Sequence, residues 1–594
     1  MIVGIDLGTS TSEIAVLRNG LPSLIREIAG STHGFLPSVV AIGVDGQLRV
    51  GEAASALLPI RPDASVAEVK RLMGSDARVK LGDDVYTPQE ISALILRHLK
   101  NEAEAALGEP VKEAVITVPA YFTALQRRAT HDAGDLAGLV VRRLVNEPTA
   151  AALAYGIERP GVEEKVLVYD LGGGTLDVTV LELSEGVLDV MASTGNGQLG
   201  GKDFDERLMK FLATQCRAAT GLDLLASPKS RGRLRAAAKR AKEELSSADR
   251  SSVVLDNLGL RPDGEAIDWE YVVTRNAFEA QIEELARSTT EQIEDALAQK
   301  GLEAEDIDTI LMIGGSSRIP LVRQVVSDFF GGRPLRTEVH PDEAVALGAA
   351  VLGGIEGRTI DPSTIVITDV APWTLGVSVL QELEGEKVAG VFSPLIIKQS
   401  TIPRTVTKHY STAHDWQDNI LVEVFQGDAP MCADNVKVGE FELEQLERAP
   451  AGADVEISFS YNLSGELEIV ARALGRQRRV TMRPSTTHMS DAEKASARAR
   501  LEKRWKSGSR PTADDVDSVA SAVSLADRAR LASLYSRVAP LITKAEHLLP
   551  KVAGGQRTRL EVLLLEMRTA LVANDGRALD TVEQALTNLL FDIA

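Results

Sequence analysis

Residues 2–17, IVGIDLGTSTSEIAVL, and residues 166–181, VLVYDLGGGTLDVTVL, follow one plan: an apolar run ending near an aspartate, a glycine-rich turn, and a second alternating run. Asp6 matches Asp170, Gly8 matches Gly172, Thr11 matches Thr175, and Ile14 and Val16 match Val178 and Val180. Each copy reads as two strands joined by a turn, because β-branched residues suit a pleated surface and glycines permit φ > 0 while leaving N–H groups bare. Bare N–H groups hold an anion, and carboxylates beside them hold a cation or its waters. A duplicated unit of this kind predicts one copy per lobe, with the two turns gripping a nucleotide polyphosphate and its metal across a cleft.

At 594 residues the chain is too long for a single core and is expected to divide into domains. Its hydrophobic fraction of 44% and charged fraction of 25% are those of an ordinary globular protein. The formal net charge of −20 argues against nucleic acid as a partner, since neutralising phosphates needs a basic face. Cys216 and Cys432 are the only cysteines, too few for a disulfide framework or metal cluster, which fits a reducing compartment. The chain opens on strand-like residues without a basic and apolar leader, and no stretch is long and apolar enough to span a bilayer; a cytoplasmic protein with no membrane partner is expected.

Between the two repeats, Ser65–Gly74 reads as helical or extended and carries Lys70, by default a solvated charge. Residues 88–107 predict a helix opened by Pro88, with Ile91, Leu94, Ile95, Leu99 and Ala103 on one face. Val115–Val118 predicts a buried strand stopped by Pro119. Helical composition follows over Ala124–Ala137, then a strand over Leu139–Val145, and Glu147 stands at the next strand-to-helix junction, where it fits a cap or a metal-shell carboxylate. After the second repeat, Gly200 and Gly201 precede a helix and suit close approach of phosphate. Arg231–Ser246 predicts an amphipathic helix with Leu234, Ala238, Ala241 and Leu245 inward, and Gly314-Gly315 follows a strand and lets a flat base approach the backbone.

At Asp361 the texture changes. Strand patterns separated by turn residues dominate from Val370 to Met482 and predict a β-sandwich or barrel. From Ser490 the pattern becomes helical, with capping-box spacing at Ser490 and Glu493 and a terminal stripe of Leu579, Val582, Leu586, Leu590 and Ile593. The fold class expected is therefore multidomain α/β + β + α.

With these segments in hand, the chain resembles the DnaK-type chaperones of the heat shock protein 70 family over residues 2 to about 480. The resemblance is carried by GIDLGTSTS, VKRLMG, ITVPAYF, QRRAT, NEPTAAALAYG, YDLGGGTLDV, LGGKDFD, AKEELSS, IGGSSRIP, PDEAVALGAAV, STIPR and FQGD. Within the family it is most similar to the short bacterial HscC branch, through KRLMGSDARVKLG, GVFSPLIIKQSTIP and YSTAHDWQDNI. The resemblance implies an actin-like two-lobed ATPase domain over 1–360, an interdomain linker over 361–369, a β-sandwich peptide-binding domain over 370–483 and a C-terminal helical lid over 484–594. It implies an ATP-dependent chaperone that binds and releases unfolded apolar peptide segments, with slow hydrolysis as a timer.

Position by position, the resemblance assigns Lys70, Glu147, Asp170 and Thr175 to catalysis, and Asp6, Glu147, Asp170 and Asp177 to Mg²⁺ and K⁺. Gly8, Thr9, Ser10, Thr11, Gly172, Gly173, Gly174, Thr175, Gly200 and Gly201 fall to the ATP or ADP phosphates, and Lys242, Ser246, Gly314, Gly315, Arg318 and Asp342 to the nucleoside end. Pro119, Arg127, Arg143, Asn146 and Asp369 fall to an interdomain switch that also meets J-domain co-chaperones, with a nucleotide exchange factor as a further partner. Val377, Leu380, Ala413, Ile420 and Val422 match the apolar peptide groove, although residue type alone places all five in an ordinary core. Lys239, where relatives commonly have glutamate, and Trp373, where a smaller apolar residue is usual, are departures. The competing expectations are a nucleotide-binding regulator with little hydrolysis and an actin-like sugar kinase; the residues after Asp361 have no role in the latter.

Overall fold

The computed structural model describes residues 1–26, 35–157, 162–184, 186–259, 266–336, 343–361, 365–383, 386–463, 465–482, 489 and 491–506, with isolated positions between 545 and 589. Asp342, Ser490, Leu579, Leu590, Ile593 and most of the expected lid lie outside the described residues.

The two repeats build two sheets of the same plan. In the first, Ile2–Leu7 pairs in parallel with Glu113–Val118 and antiparallel with Thr11–Arg18. In the second, Glu164–Leu171 pairs in parallel with Thr309–Ile313 and antiparallel with Leu176–Ser184. Leu7 faces Ser12 and Leu171 faces Leu176, so the glycine-rich residues between them are the turns. Strands flanked by parallel neighbours are buried on both faces and read as continuous apolar runs. Val166, Leu167, Val168 and Tyr169 are accordingly all fully buried.

Two alanine-rich helices, Glu147–Ile157 and Ala344–Glu356, lie between the sheets and pack on one another. Small residues set their distance: a Cβ on Gly348 would sit 1.7 Å from the Ala150 carbonyl oxygen. Pro88–Leu107 flanks the first sheet behind a complete capping box, in which Thr87 and Glu90 satisfy one another's backbone N–H groups. All five residues of its expected stripe are buried. Ser65–Gly74 resolves into a short strand, Ser65–Ala67, and one 3₁₀ turn, Val69–Leu72.

Beyond these lobes, Val366–Ile367 adds in parallel to Val187–Asn196, becoming the edge strand of the second lobe's sheet. The next strands form two four-stranded antiparallel sheets with a shared core, ordered Glu386–Ile396, Leu375–Leu383, Asn419–Gln426, Val436–Glu444 and Arg404–Ser411, Asp454–Tyr461, Leu467–Ala473, Arg476–Met482. This sandwich rests on the two lobes. Tyr121 meets Trp373 edge to face at 5.2 Å, and Gln399 exchanges hydrogen bonds with the Ser193 backbone at 2.6 and 3.1 Å.

The helix Asp491–Lys506 lies against the first lobe rather than the sandwich. Ala497 and Leu501, with Met489, join the core built by the helices Pro88–Leu107 and Ala124–Leu136. Its cationic face supplies Lys494 to Asp132 and Asp135, Arg500 to the fully buried Glu90, and Arg504 to Asp84. Arg97 pairs with Glu502 at 2.7 Å and lies over the Trp505 ring. Among the described residues, no helix is long and apolar enough to cross a membrane.

Candidate functional site

The strands Ile2–Leu7 and Glu164–Leu171 end at a cleft of about 300 Å³ between the lobes. The two glycine turns meet there. A Cβ on Gly173 would lie 2.0 Å from Ser10 Oγ, and one on Gly174 would lie 2.8 Å from the Thr9 side chain, so the two turns are in direct contact. The first turn is held by Ser38, whose hydroxyl donates to the Gly8 carbonyl at 2.8 Å. The second is held from behind: the Gly201 and Lys202 N–H groups donate to the Gly172 and Gly173 carbonyls at 3.0 and 2.9 Å.

Of the residues expected at the site, Asp6, Gly8, Thr9, Ser10, Thr11, Lys70, Glu147, Asp170, Gly172, Gly173, Thr175, Lys242, Ser246, Gly314, Gly315 and Arg318 line this one cleft. Gly174, Gly200 and Gly201 lie directly behind its wall: a Cβ on Gly200 would come within 2.6 Å of the Gly174 nitrogen. Gly314 also has a packing reason to be glycine: with φ of +80° it presses on the end of the neighbouring strand, where a Cβ would meet the Leu171 carbonyl oxygen at 2.5 Å. Lys242 is not a solvated charge; its ammonium pairs with Asp205 at 2.8 Å and donates to the Gly201 carbonyl at 3.2 Å.

Arg71, Thr117 and Ser316 were not legible as part of the site. Arg71 donates twice to the Gly174 carbonyl, at 2.7 and 3.1 Å, and pairs with Asp203 at 2.8 Å. Thr117 donates to Asp6 at 2.7 Å, and Ser316 to the Gly172 carbonyl at 2.9 Å. The one signal was adjacency: Arg71 follows Lys70, and Ser316 follows the Gly314-Gly315 pair.

Lys70 is buried on its 3₁₀ turn and meets Glu147 Oε1 at 2.5 Å. Burial alone would lower its pKa, but the carboxylates of Glu147, Asp6 and Asp170 outweigh that and hold it above the ordinary lysine value. The ammonium therefore stays charged and donates protons only in hydrogen bonds. Burial, then the charges of Glu147 and Asp177, pushes Asp170 well above the usual carboxylate range. Burial and Glu147 likewise push Asp177 up to about 7, against the opposing pull of the Tyr121 and Ala120 backbone amides. Neither Asp177 oxygen makes a hydrogen bond of acceptable geometry. Four carboxylates thus converge on one lysine, an excess of negative charge and open lone pairs that fits a hard, oxygen-seeking cation.

A second group links the lobes to the sandwich. Arg127 donates to the Phe122, Ala120 and Asn146 oxygens, and Asn146 and Thr149 donate to the buried Asp369 carboxylate at 2.9 and 3.0 Å. Pro119 accepts the Phe122 N–H at 3.1 Å, and Arg143 reaches Glu356 at 3.7 Å. In the sandwich, Val377 and Val422 are buried in the shared core, Ala413 and Ile420 are half-buried, and Leu380 is 44% exposed.

Duplicated glycine turns, a carboxylate-rich cleft and a second domain continuing one lobe's sheet define a nucleotide-binding protein whose cleft is mechanically joined to another module. Comparison with known proteins is specific about which. The family profile described as Hsp70 protein matches residues 2–531. The chain is 39% identical over 580 residues to the Chaperone protein DnaK of Thermotoga petrophila and to that of Thermotoga maritima, covering 97% of this chain and 93% of each relative. It is also 39% identical over 582 residues to that of Thermosipho melanesiensis. The chain belongs to the Hsp70 family. It is an ATP-dependent molecular chaperone, its first domain an actin-like two-lobed ATPase, followed by a sheet-rich substrate domain and a helical lid.

Proposed function

We propose that residues 1–360 hydrolyse ATP, that 361–369 carry the state of the nucleotide, and that 370–483 grip an extended apolar peptide released when ATP is bound, with 484–594 as lid. One observation carries this reading: the strand Glu164–Leu171, which carries Asp170, and the linker strand Val366–Ile367 are members of the same five-stranded sheet. A change at the phosphate turn and the seating of the linker therefore bear on one rigid element.

Within the cleft, the backbone N–H groups of Gly8–Thr11 and Gly172–Thr175 cradle phosphate oxygens, joined by Gly200 and Gly201. Mg²⁺, when bound, neutralises charge developing on the transferred phosphoryl group. Asp6, Glu147, Asp170 and Asp177 are the residues to hold it, largely through waters, with K⁺ beside it. Lys70, fixed by Glu147 and permanently charged, orients the attacking water by donating to it and is not the base. Thr175 offers its hydroxyl at the apex of the second turn. Lys242, Ser246, Gly315 and Arg318 line the nucleoside end, where Lys239 also faces the cleft.

The partners of this reading are unfolded or extended apolar peptides, a J-domain co-chaperone acting through the interdomain switch of Arg143, Asn146 and Asp369, and a nucleotide exchange factor, all in the cytoplasm. Fluorescence anisotropy of a labelled apolar peptide tests it. ATP is expected to speed dissociation from the full chain. An off-rate insensitive to ATP would leave a nucleotide-binding regulator as the better account.

A further inference from the structure

We propose that Glu13 is a further carboxylate of the cleft's cation site, the first-lobe counterpart of Asp177, and that it ties nucleotide binding more steeply to a divalent ion. The proposal rests on the nucleotide reading above and adds to it a residue that neither the motifs nor the resemblance assigned.

The internal repeat reaches further than the positions matched from sequence. Asp6 and Asp170 are each followed, on the far side of the glycine turn, by an acidic residue, Glu13 and Asp177. The two hairpins share one register: Asp6 lies directly opposite Glu13 on the paired strands, and Asp170 directly opposite Asp177. Residues directly opposite in an antiparallel pair project from the same face, with Cβ atoms about 4.5–5.5 Å apart. That face is turned to the cleft, since Asp6, Glu13 and Asp170 all line it. Each lobe therefore brings a pair of carboxylates to its own side of the cleft.

Packing alone would not select this arrangement. Glu13 is 2% exposed and Asp177 1% exposed. Like charges set directly opposite repel, and burial removes the water that would screen them. A strand position that needed only to be filled would take an apolar residue, as Ala15, the next on the same face and fully buried, does. Lys70 does not balance both pairs, because its ammonium is bonded to Glu147. In the second hairpin, neither buried oxygen of Asp177 makes a hydrogen bond of acceptable geometry, so acceptors there stand ready for the waters of a hard cation.

The Glu13 carboxylate then acts in opposite directions in two states. With a divalent ion in the cleft, it adds negative charge around the ion's waters and tightens the hold on it. Without one, the same charge repels the nucleotide's phosphates. A residue that merely kept the strand in place would strengthen or weaken both states together.

The probe is Mn²⁺ with ADP on the full chain, free Mn²⁺ being counted by electron paramagnetic resonance. Glu13→Gln is expected to weaken Mn²⁺ binding to the ADP complex by about tenfold or more, and to tighten ADP binding measured by equilibrium titration in EDTA. Glu13→Asp, which keeps the charge, is expected to retain most of the Mn²⁺ affinity and to show no gain for ADP in EDTA. Glu13→Ala is a second neutral variant held to the same outcomes as Glu13→Gln. Unchanged Mn²⁺ affinity in the neutral variants, or an ADP affinity in EDTA that falls along with it, would overturn the proposal while leaving the nucleotide reading intact. A wild-type chain that binds no ADP with or without Mn²⁺ would overturn both.

Discussion

Asn146 Nδ2 donates to Asp369 Oδ2 at 2.9 Å while the same amide's oxygen accepts from Arg127 at 2.5 Å. One side chain thus ties the end of a first-lobe strand to the last residue of the linker, where the sandwich begins. Asp369→Ala strands the Asn146 and Thr149 donors in a buried interface, a loss of about 1–3 kcal/mol. The ratio of docked to undocked sandwich should fall by roughly fivefold to a hundredfold, read as faster proteolysis at Ile365–Ile367 in ATP and a weaker effect of ATP on peptide release. Asp369→Asn, which keeps the shape and one acceptor, should fall between Ala and wild type.

Lys70 is held by Glu147 and charged at every working pH, so its part in the reaction is positional and electrostatic. Lys70→Ala should slow single-turnover hydrolysis by about a hundredfold or more while ATP affinity, measured by equilibrium titration, changes little. Glu147→Gln should slow hydrolysis less, because the lysine keeps Asp6 and Asp170 as counter-charges.

The helices between the lobes have no slack at Gly348, where a Cβ would meet the Ala150 carbonyl oxygen at 1.7 Å. Gly348→Ala should lower stability by about 1–3 kcal/mol or more, seen as a reduced thermal midpoint without nucleotide. Gly197→Ala is the control. Its Cβ would have nothing within 4 Å, and its midpoint should not move.

His98 supplies a pH dependence of lid docking. Burial lowers its pKa below 6.5, with Glu102 offsetting part of the effect, and its Nε2 is buried without a hydrogen bond, with the Trp505 ring 6.4 Å away. A histidine whose folded pKa is depressed favours the docked, folded state above its ordinary pKa. That contribution fades as pH falls below 6.5 towards the depressed value. Trp505 emission should report undocking on acidification, and His98→Leu should displace or abolish the acid limb.

The two hairpins, the helix Pro88–Leu107 and the β-rich second half were readable because each rests on a local period. Alternation marks strands, a 3.6-residue stripe marks a helix, and the matched Asp–Gly–Thr positions of the repeats fix the turns. Arg71 and Thr117 were silent because what they touch, Gly174 and Asp6, is about a hundred residues away and chosen by the packing of lobes. The role of the cationic run of Asp491–Lys506 is silent for the same reason. Nothing near it in sequence announces that Glu90, already spent on a capping box, is fully buried and waiting for Arg500. Lys242 shows the same limit: the partner that fixes its ammonium, Asp205, sits on another helix, Gly201–Thr220, and nothing near Lys242 in sequence announces the pairing.

The linker's strand pairing with the second lobe is two register pairs long, Val187 with Val366 and Leu188 with Ile367. Any departure of so short a strand uncovers a β-sheet edge on the protein itself, with the Gly186 and Leu188 carbonyls, which accept from the Val366 and Thr368 N–H groups, open to pairing with foreign strands. A protein that captures extended segments before they pair with one another must in that moment display the very kind of surface that seeds such pairing. Its brevity is then a safeguard as well as a weakness: two residues of bare edge are too few to template a stable intermolecular ladder, whereas a longer linker strand would have made every cycle an aggregation risk.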